Sequence, residues 1–124
     1  MYLTGFADEA GKDIKTQIKA TKELGWSNIE LRATGFSGDL AGMTEEEFAQ
    51  FCDIVIPSGV KINCFGSGIA NWGKEVSLPF EDTKKEVEIS IPRMQKLGCK
   101  MVRIMSYKVR KDEKTGLPLP DAEQ

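Results

Sequence analysis

Leu24-Gly25-Trp26-Ser27-Asn28-Ile29-Glu30-Leu31-Arg32, Ser58-Gly59-Val60-Lys61-Ile62-Asn63-Cys64-Phe65 and Leu97-Gly98-Cys99-Lys100-Met101-Val102-Arg103-Ile104 state one design three times. Each reads as a helix end, a glycine and a short apolar strand. Gly25, Gly59 and Gly98 are 34 and 39 residues apart, the length of a strand, a helix and two loops. A helix that stops at glycine and runs straight into a strand is the joint of a βα unit. Three joints after an opening strand predict four parallel strands. Parallel strands need helices to cover them, on a barrel or a doubly wound sheet.

Working outward from the joints, residues 2–7 read as the opening strand, ending at Ala7-Asp8-Glu9. Asp13 is placed to cap a helix to about Leu24, with Ile14, Ile18, Thr21 and Leu24 near one face. The second strand is about Asn28–Arg32, followed by a loop with Gly35, Gly38 and Gly42. Thr44-Glu45-Glu46-Glu47 is a capping box. It opens a helix that buries Phe48, Phe51, Cys52 and Val55 and stops near Pro57. The third strand is Lys61–Phe65. Residues 66–79 form a long loop, a length usually tied to function in a compact domain. Asp82 is placed to cap a third helix to about Leu97, with Val87, Ile91 and Met94 inward and a kink at Pro92. The fourth strand is Lys100–Met105. The tail, Tyr107–Gln124, has no periodicity.

The chain of 124 residues is one domain by length, and short of the roughly 250 residues of a closed (β/α)₈ barrel. Half a barrel, a small open-sheet domain and a fragment all fit. A net charge of −2 calls for no polyanionic partner. No apolar run approaches the roughly 20 residues of a membrane helix, and no basic-then-apolar leader opens the chain. Cys52, Cys64 and Cys99 lack metal-ligand spacing and suit buried thiols in a cytoplasmic protein. The chain has no histidine. That removes Ser–His and Cys–His pairs and any His-ligated metal site built from this chain alone.

In parallel βα folds the site lies at the carboxyl ends of the strands. A period of two puts Ile29 and Leu31 on one face of the second strand and Glu30 and Arg32 on the other. The same period sets Ile62 and Cys64 against Asn63 and Phe65, and Val102 and Ile104 against Met101, Arg103 and Met105. One face is apolar and suits helices; the other carries Glu30, Arg32, Asn63 and Arg103. Charges there are costly unless paired or hydrated. A structural ion pair satisfies them; so does a polar lumen around a small ligand. Gly66-Ser67-Gly68 has the look of a nucleotide loop, but a dinucleotide fingerprint wants glycine where Asn71 stands. Trp72 reads as a lid or as plain packing. The cluster Lys108–Lys114 is interrupted by Asp112 and Glu113 and reads as a solvated loop. Asp8 and Glu9 suit the dipole of the helix ahead, with Asp8 open to a chemical role.

Gly5-Phe6-Ala7-Asp8-Glu9, Asn28–Arg32, Gly59–Ser67 and Lys96-Leu97-Gly98 before Met101–Ile104 resemble, in that order, the sugar phosphate isomerase/epimerase family, which has the xylose-isomerase-like TIM barrel. The resemblance implies an α/β fold, with residues 1–124 as the N-terminal half (about four βα units, strands 1 to 4) of a (β/α)₈ barrel truncated at its C-terminus. It implies a divalent metal (Mn, Mg or Zn) in the full-length parent. It implies proton transfer next to a carbonyl through an enediolate, in which a metal polarises the carbonyl and a carboxylate takes the α-proton. The family's metal ligands, two Glu, an Asp and a His, come mainly from strands 5 to 8. Relatives that repair DNA use histidines on strands 3 and 4, where this chain has Cys64-Phe65 and Ser106-Tyr107; the departure points away from an abasic-site endonuclease. Carried over by residue, Phe6, Glu30, Phe65, Ser67 and Trp72 line the substrate pocket, with Arg32 and Arg103 as polar supports and none in the role of base. The expected partner is a small sugar or sugar phosphate, with no nucleic acid and no membrane. This chain alone is expected to be inactive and to bind no metal tightly. Two alternatives stand beside this: a half-barrel that pairs with a second copy and binds a sugar phosphate without catalysis, and a small Rossmann-like nucleotide binder.

Overall fold

The computed structural model describes residues 1–120 and has a mixed α/β architecture. After a 3₁₀ turn at Ala7–Glu9, the order is α1 (Ile14–Glu23), β1 (Asn28–Leu31), α2 (Glu45–Ser58), β2 (Lys61–Gly66), α3 (Phe80–Leu97) and β3 (Met101–Arg103). The sheet is parallel, in the order β1-β2-β3. The glycine joints are as the sequence states them: Gly25, Gly59 and Gly98 have φ of 72°, 75° and 69°. Only glycine adopts that left-handed turn without penalty, so helix ends and strand starts are set by three residues.

Local chemistry also fixes the helix starts. The Asp13 side chain accepts the Thr16 N–H, and Thr44 and Glu47 form the reciprocal capping box. The third helix differs. It opens at Phe80 behind Pro79, with no side-chain cap, and Asp82 lies in its first turn. It runs unbroken through Pro92.

One core lies between the sheet and all three helices. Ile14 and Ile18 from α1, Phe48, Phe51, Cys52 and Val55 from α2, and Ile29, Leu31, Ile62 and Phe65 from the strands form one buried cluster, with Met94 and Leu97 of α3 packed on it. The expected stripe of α2 is therefore the buried one. Two side chains expected inside are out: Leu24 and Ile91 are exposed. Gln17 takes the inward place on α1, and Ser90 and Arg93 on α3. Arg93 bridges chain segments rather than filling oil: it donates to the carbonyls of Leu40 (2.9 Å) and Met43 (2.7 Å), pairs with Glu45 and stacks on Phe48.

Three strand expectations need correction. Residues 2–7 do not form a strand. Their pairing is one parallel bridge, Phe6 to Glu30, with the Glu30 N–H donating to Gly5 O at 2.8 Å. Tyr2 and Leu3 are exposed. A strand with a neighbour on one side only, at the sheet edge, gains half the ladder. β3 is shorter than the six residues expected for the same reason. Finally, the strict alternation along β2 fails. Ile29 pairs with Ile62, but Glu30 pairs with Cys64 and Leu31 with Phe65. Asn63 is the extra residue of a bulge, and one inserted residue turns everything after it to the opposite face. Cys64 thus sits on the polar face beside Glu30, and Phe65 is wholly buried in the core.

Candidate functional site

The carboxyl ends of the strands and the loops after them enclose a cleft of about 310 Å³. Arg32, Asp39, Ser67, Trp72 and Arg103 are among its lining residues. Four of the seven residues singled out from the sequence are therefore brought together. Phe6 belongs with them. Its ring lies between two guanidinium groups, 4.6 Å from Arg32 and 5.0 Å from Arg103. Glu30 is on the same face one level lower, since it bridges to Phe6 and pairs with Cys64. Phe65 is not in the site: the bulge sends it into the core.

Gly66 makes the stack feasible. A Cβ built there stands 3.0 Å from Phe6 Cε1, 3.3 Å from Leu31 O and 3.5 Å from Arg103 Nη2. Any larger residue crowds the ring between the arginines.

The two arginines differ in their electrostatic state. Arg32 is satisfied: Nε and Nη2 donate to both carboxylate oxygens of Asp8 at 2.8 and 3.1 Å, and Glu9 lies 3.5 Å away. The Asp8 carboxylate, first among the causes, raises the Arg32 pKa above its ordinary value. Asp8 therefore holds an arginine rather than a substrate. Arg103 has no acidic partner within 4.0 Å among the described residues. Its Nε is buried without an acceptor.

Ser67 is committed to structure. Its hydroxyl donates to the Arg103 carbonyl at 2.7 Å and accepts from the Ile69 N–H at 3.3 Å. It is buried and ties the end of β2 to β3. Asp39 was not singled out from the sequence. It accepts from the N–H groups of Ala41, Gly42 and Gly68 at 3.0, 3.1 and 3.0 Å, which joins the loop after β1 to the loop after β2. Its only sequence signal is an acid in a glycine-rich loop. Trp72 stands at the rim and is largely exposed, 68%. The loop bearing it is held by Lys74, which pairs with Glu86 and whose carbonyl accepts the Lys108 N–H at 2.8 Å.

The three thiols are poor nucleophiles here. Burial raises the pKa of Cys52, Cys64 and Cys99, with Glu30 adding to the effect at Cys64. Gly66-Ser67-Gly68 does not run into a helix, as α3 opens only at Phe80, and the Gly68 N–H is already taken by Asp39. A larger groove, about 1230 Å³, follows the tail from Ser106 to Lys114, where basic side chains alternate with Asp112 and Glu113. The last four residues of the expected tail loop lie outside the described residues. Among the described residues no helix is long and apolar enough to cross a membrane. The chain was compared with protein-family models, curated proteins and solved structures, and nothing matched.

Proposed function

We propose that this chain supplies the first four βα units of a (β/α)₈ barrel that isomerises or epimerises a sugar or sugar phosphate, and that the cleft after β1–β3 is its share of the substrate site. The observation that carries the reading is the clustering of Phe6, Arg32, Trp72 and Arg103 at the carboxyl ends of strands whose order in space follows their order in sequence. Sequential order with every helix on one face suits a sheet that curls into a barrel. A doubly wound sheet reverses its order at a switch point and is covered on both faces.

The chain's own residues bind and orient in this reading. Glu30 and Arg103 offer one acceptor and one cation on the lumen face, Trp72 offers a ring at the rim, and the committed groups Asp8, Asp39 and Ser67 hold the frame. Among the described residues no group of three His, Cys, Asp or Glu side chains that could hold an ion occurs, and the family resemblance puts the ligands of its divalent metal mainly on strands 5 to 8.

The test is hydrogen exchange. The protein translated through the whole open reading frame, incubated in D₂O with a panel of ketoses and their phosphates, is expected to introduce deuterium at the carbon next to the carbonyl. No incorporation with any member of the panel would remove the isomerase reading. Titration of the 124-residue chain with the same panel, followed by tryptophan fluorescence, measures its share of binding.

A further inference from the structure

Among the described residues, one arginine of the cleft has no carboxylate within 4.0 Å. Arg32 is paired with Asp8, and Asp39 accepts from three backbone N–H groups. Arg103 remains, held in place by the Phe6 ring on one side and by the short β2–β3 ladder behind it. Guanidinium is the side chain that best matches a planar or tetrahedral oxyanion, through two parallel N–H donors. A partly buried guanidinium with a buried, unsatisfied Nε gains more from such a partner than an exposed one does.

We propose that Arg103 is the counter-ion of the ligand, and that the cleft takes a polyhydroxylated oxyanion, a sugar phosphate or a sugar acid, rather than a neutral sugar. Glu30 lies on the same face, paired with Cys64 and bridged to Phe6. Its carboxylate has no hydrogen-bonding partner among the described residues, and carboxylates accept strongly from hydroxyls. Arg32, which is closer to Phe6 but already paired, is a positioning residue: it holds the ring against which Arg103 stacks.

This deepens the reading above and rests on it for where the ligand lies, but its test does not need turnover. The ¹⁵N-labelled protein, translated through the whole open reading frame, is titrated with inorganic phosphate, with glycolate and with glycerol at constant ionic strength. The Arg103 Nε–H resonance is expected to shift saturably with phosphate or glycolate and not with glycerol. Saturation with phosphate alone assigns the site to phosphate esters; saturation with glycolate alone assigns it to sugar acids. R103Q is expected to weaken binding at least tenfold and R103K to recover part of that loss, whereas K15Q, on the exposed face of α1, leaves the affinity unchanged. The dispersion of the remaining amide signals reports whether each variant is folded. G66A, which displaces the Phe6 ring without removing the cation, is a second variant expected to weaken anion binding severalfold. No saturable shift with either anion, unchanged affinity in folded R103Q, or an equal loss in K15Q overturns the proposal. A cleft that binds neutral ketoses but no anion sinks this inference and leaves the isomerase reading; saturable anion binding lost in R103Q, with no deuterium incorporated into any ketose or ketose phosphate, sinks the isomerase reading and leaves this inference.

Discussion

Arg93 is a buried cation, and its role is different from that of Arg103. Its guanidinium closes the turn before α2 by filling two carbonyls that no backbone N–H reaches among the described residues, and its acidic partner, Glu45, is largely exposed. Truncation leaves the Leu40 and Met43 carbonyls without a donor inside the protein, a change that costs on the order of 2–4 kcal/mol. Arg93→Ala is therefore expected to lower the unfolding midpoint in urea markedly while Arg103→Gln leaves it nearly unchanged. Equal midpoints for the two variants would show that Arg93 is not a structural cap. At the same scale, the thiols test the packing: with their pKa values raised by burial, all three cysteines are expected to react slowly with a thiol reagent at neutral pH and quickly in denaturant. Fast labelling of the folded chain would mean that the core around Cys52 and Cys99 opens readily.

Among the elements, α2 is the most fully specified by local sequence, because its start, stripe and stop are all chemical signals. Thr44→Ala removes one half of the capping box, at about 1 kcal/mol. The other half responds to pH. Hydrogen bonds from the Ser37 hydroxyl first, and then from the Thr44 N–H, hold the Glu47 carboxyl below its ordinary value of 4.5. A depressed folded pKa means the contribution is fully present above about pH 4.5 and is lost as the pH falls through the lower folded value. Glu47→Gln should thus flatten the acid side of a melting-temperature profile and shift the neutral side less. A profile whose acid limb is identical to wild type would exclude Glu47 as one of the groups that set it. The strands behave differently. Their hydrophobic pattern was legible, yet the bulge at Asn63 was not, because no residue type in Lys61–Gly66 announces an extra place in the ladder. Register is a property of two strands together.

For the whole molecule, the sheet edges are the decisive feature. Val102 lies beside Phe65 on the helix-covered face, but it is 42% exposed, and Ile104 is 64% exposed. Ile89 and Ile91 on α3 are also exposed. An apolar edge strand with free backbone groups is a template for pairing with another chain. The isolated 124-residue chain is expected to self-associate, and light scattering measures it. V102K with I104E should reduce the association. A wild-type monomer at tens of micromolar, with one cooperative melt, would contradict the expectation.

The sequence by itself determined the local framework: three glycine joints, two capped helix starts, the buried stripe of α2, and a sheet with one apolar and one charged face. These follow from backbone dihedrals, capping hydrogen bonds and periodicity, which act over a few residues. Tertiary structure decided which residues meet. It placed Phe6 between Arg32 and Arg103, neutralised the first of these with Asp8, moved Phe65 into the core, used Ser67 and Asp39 as ties between loops, and reduced the opening strand to a single bridge. Those outcomes depend on register, on neighbours distant in sequence and on how much of a ladder an edge strand can complete, none of which one segment of chain encodes alone.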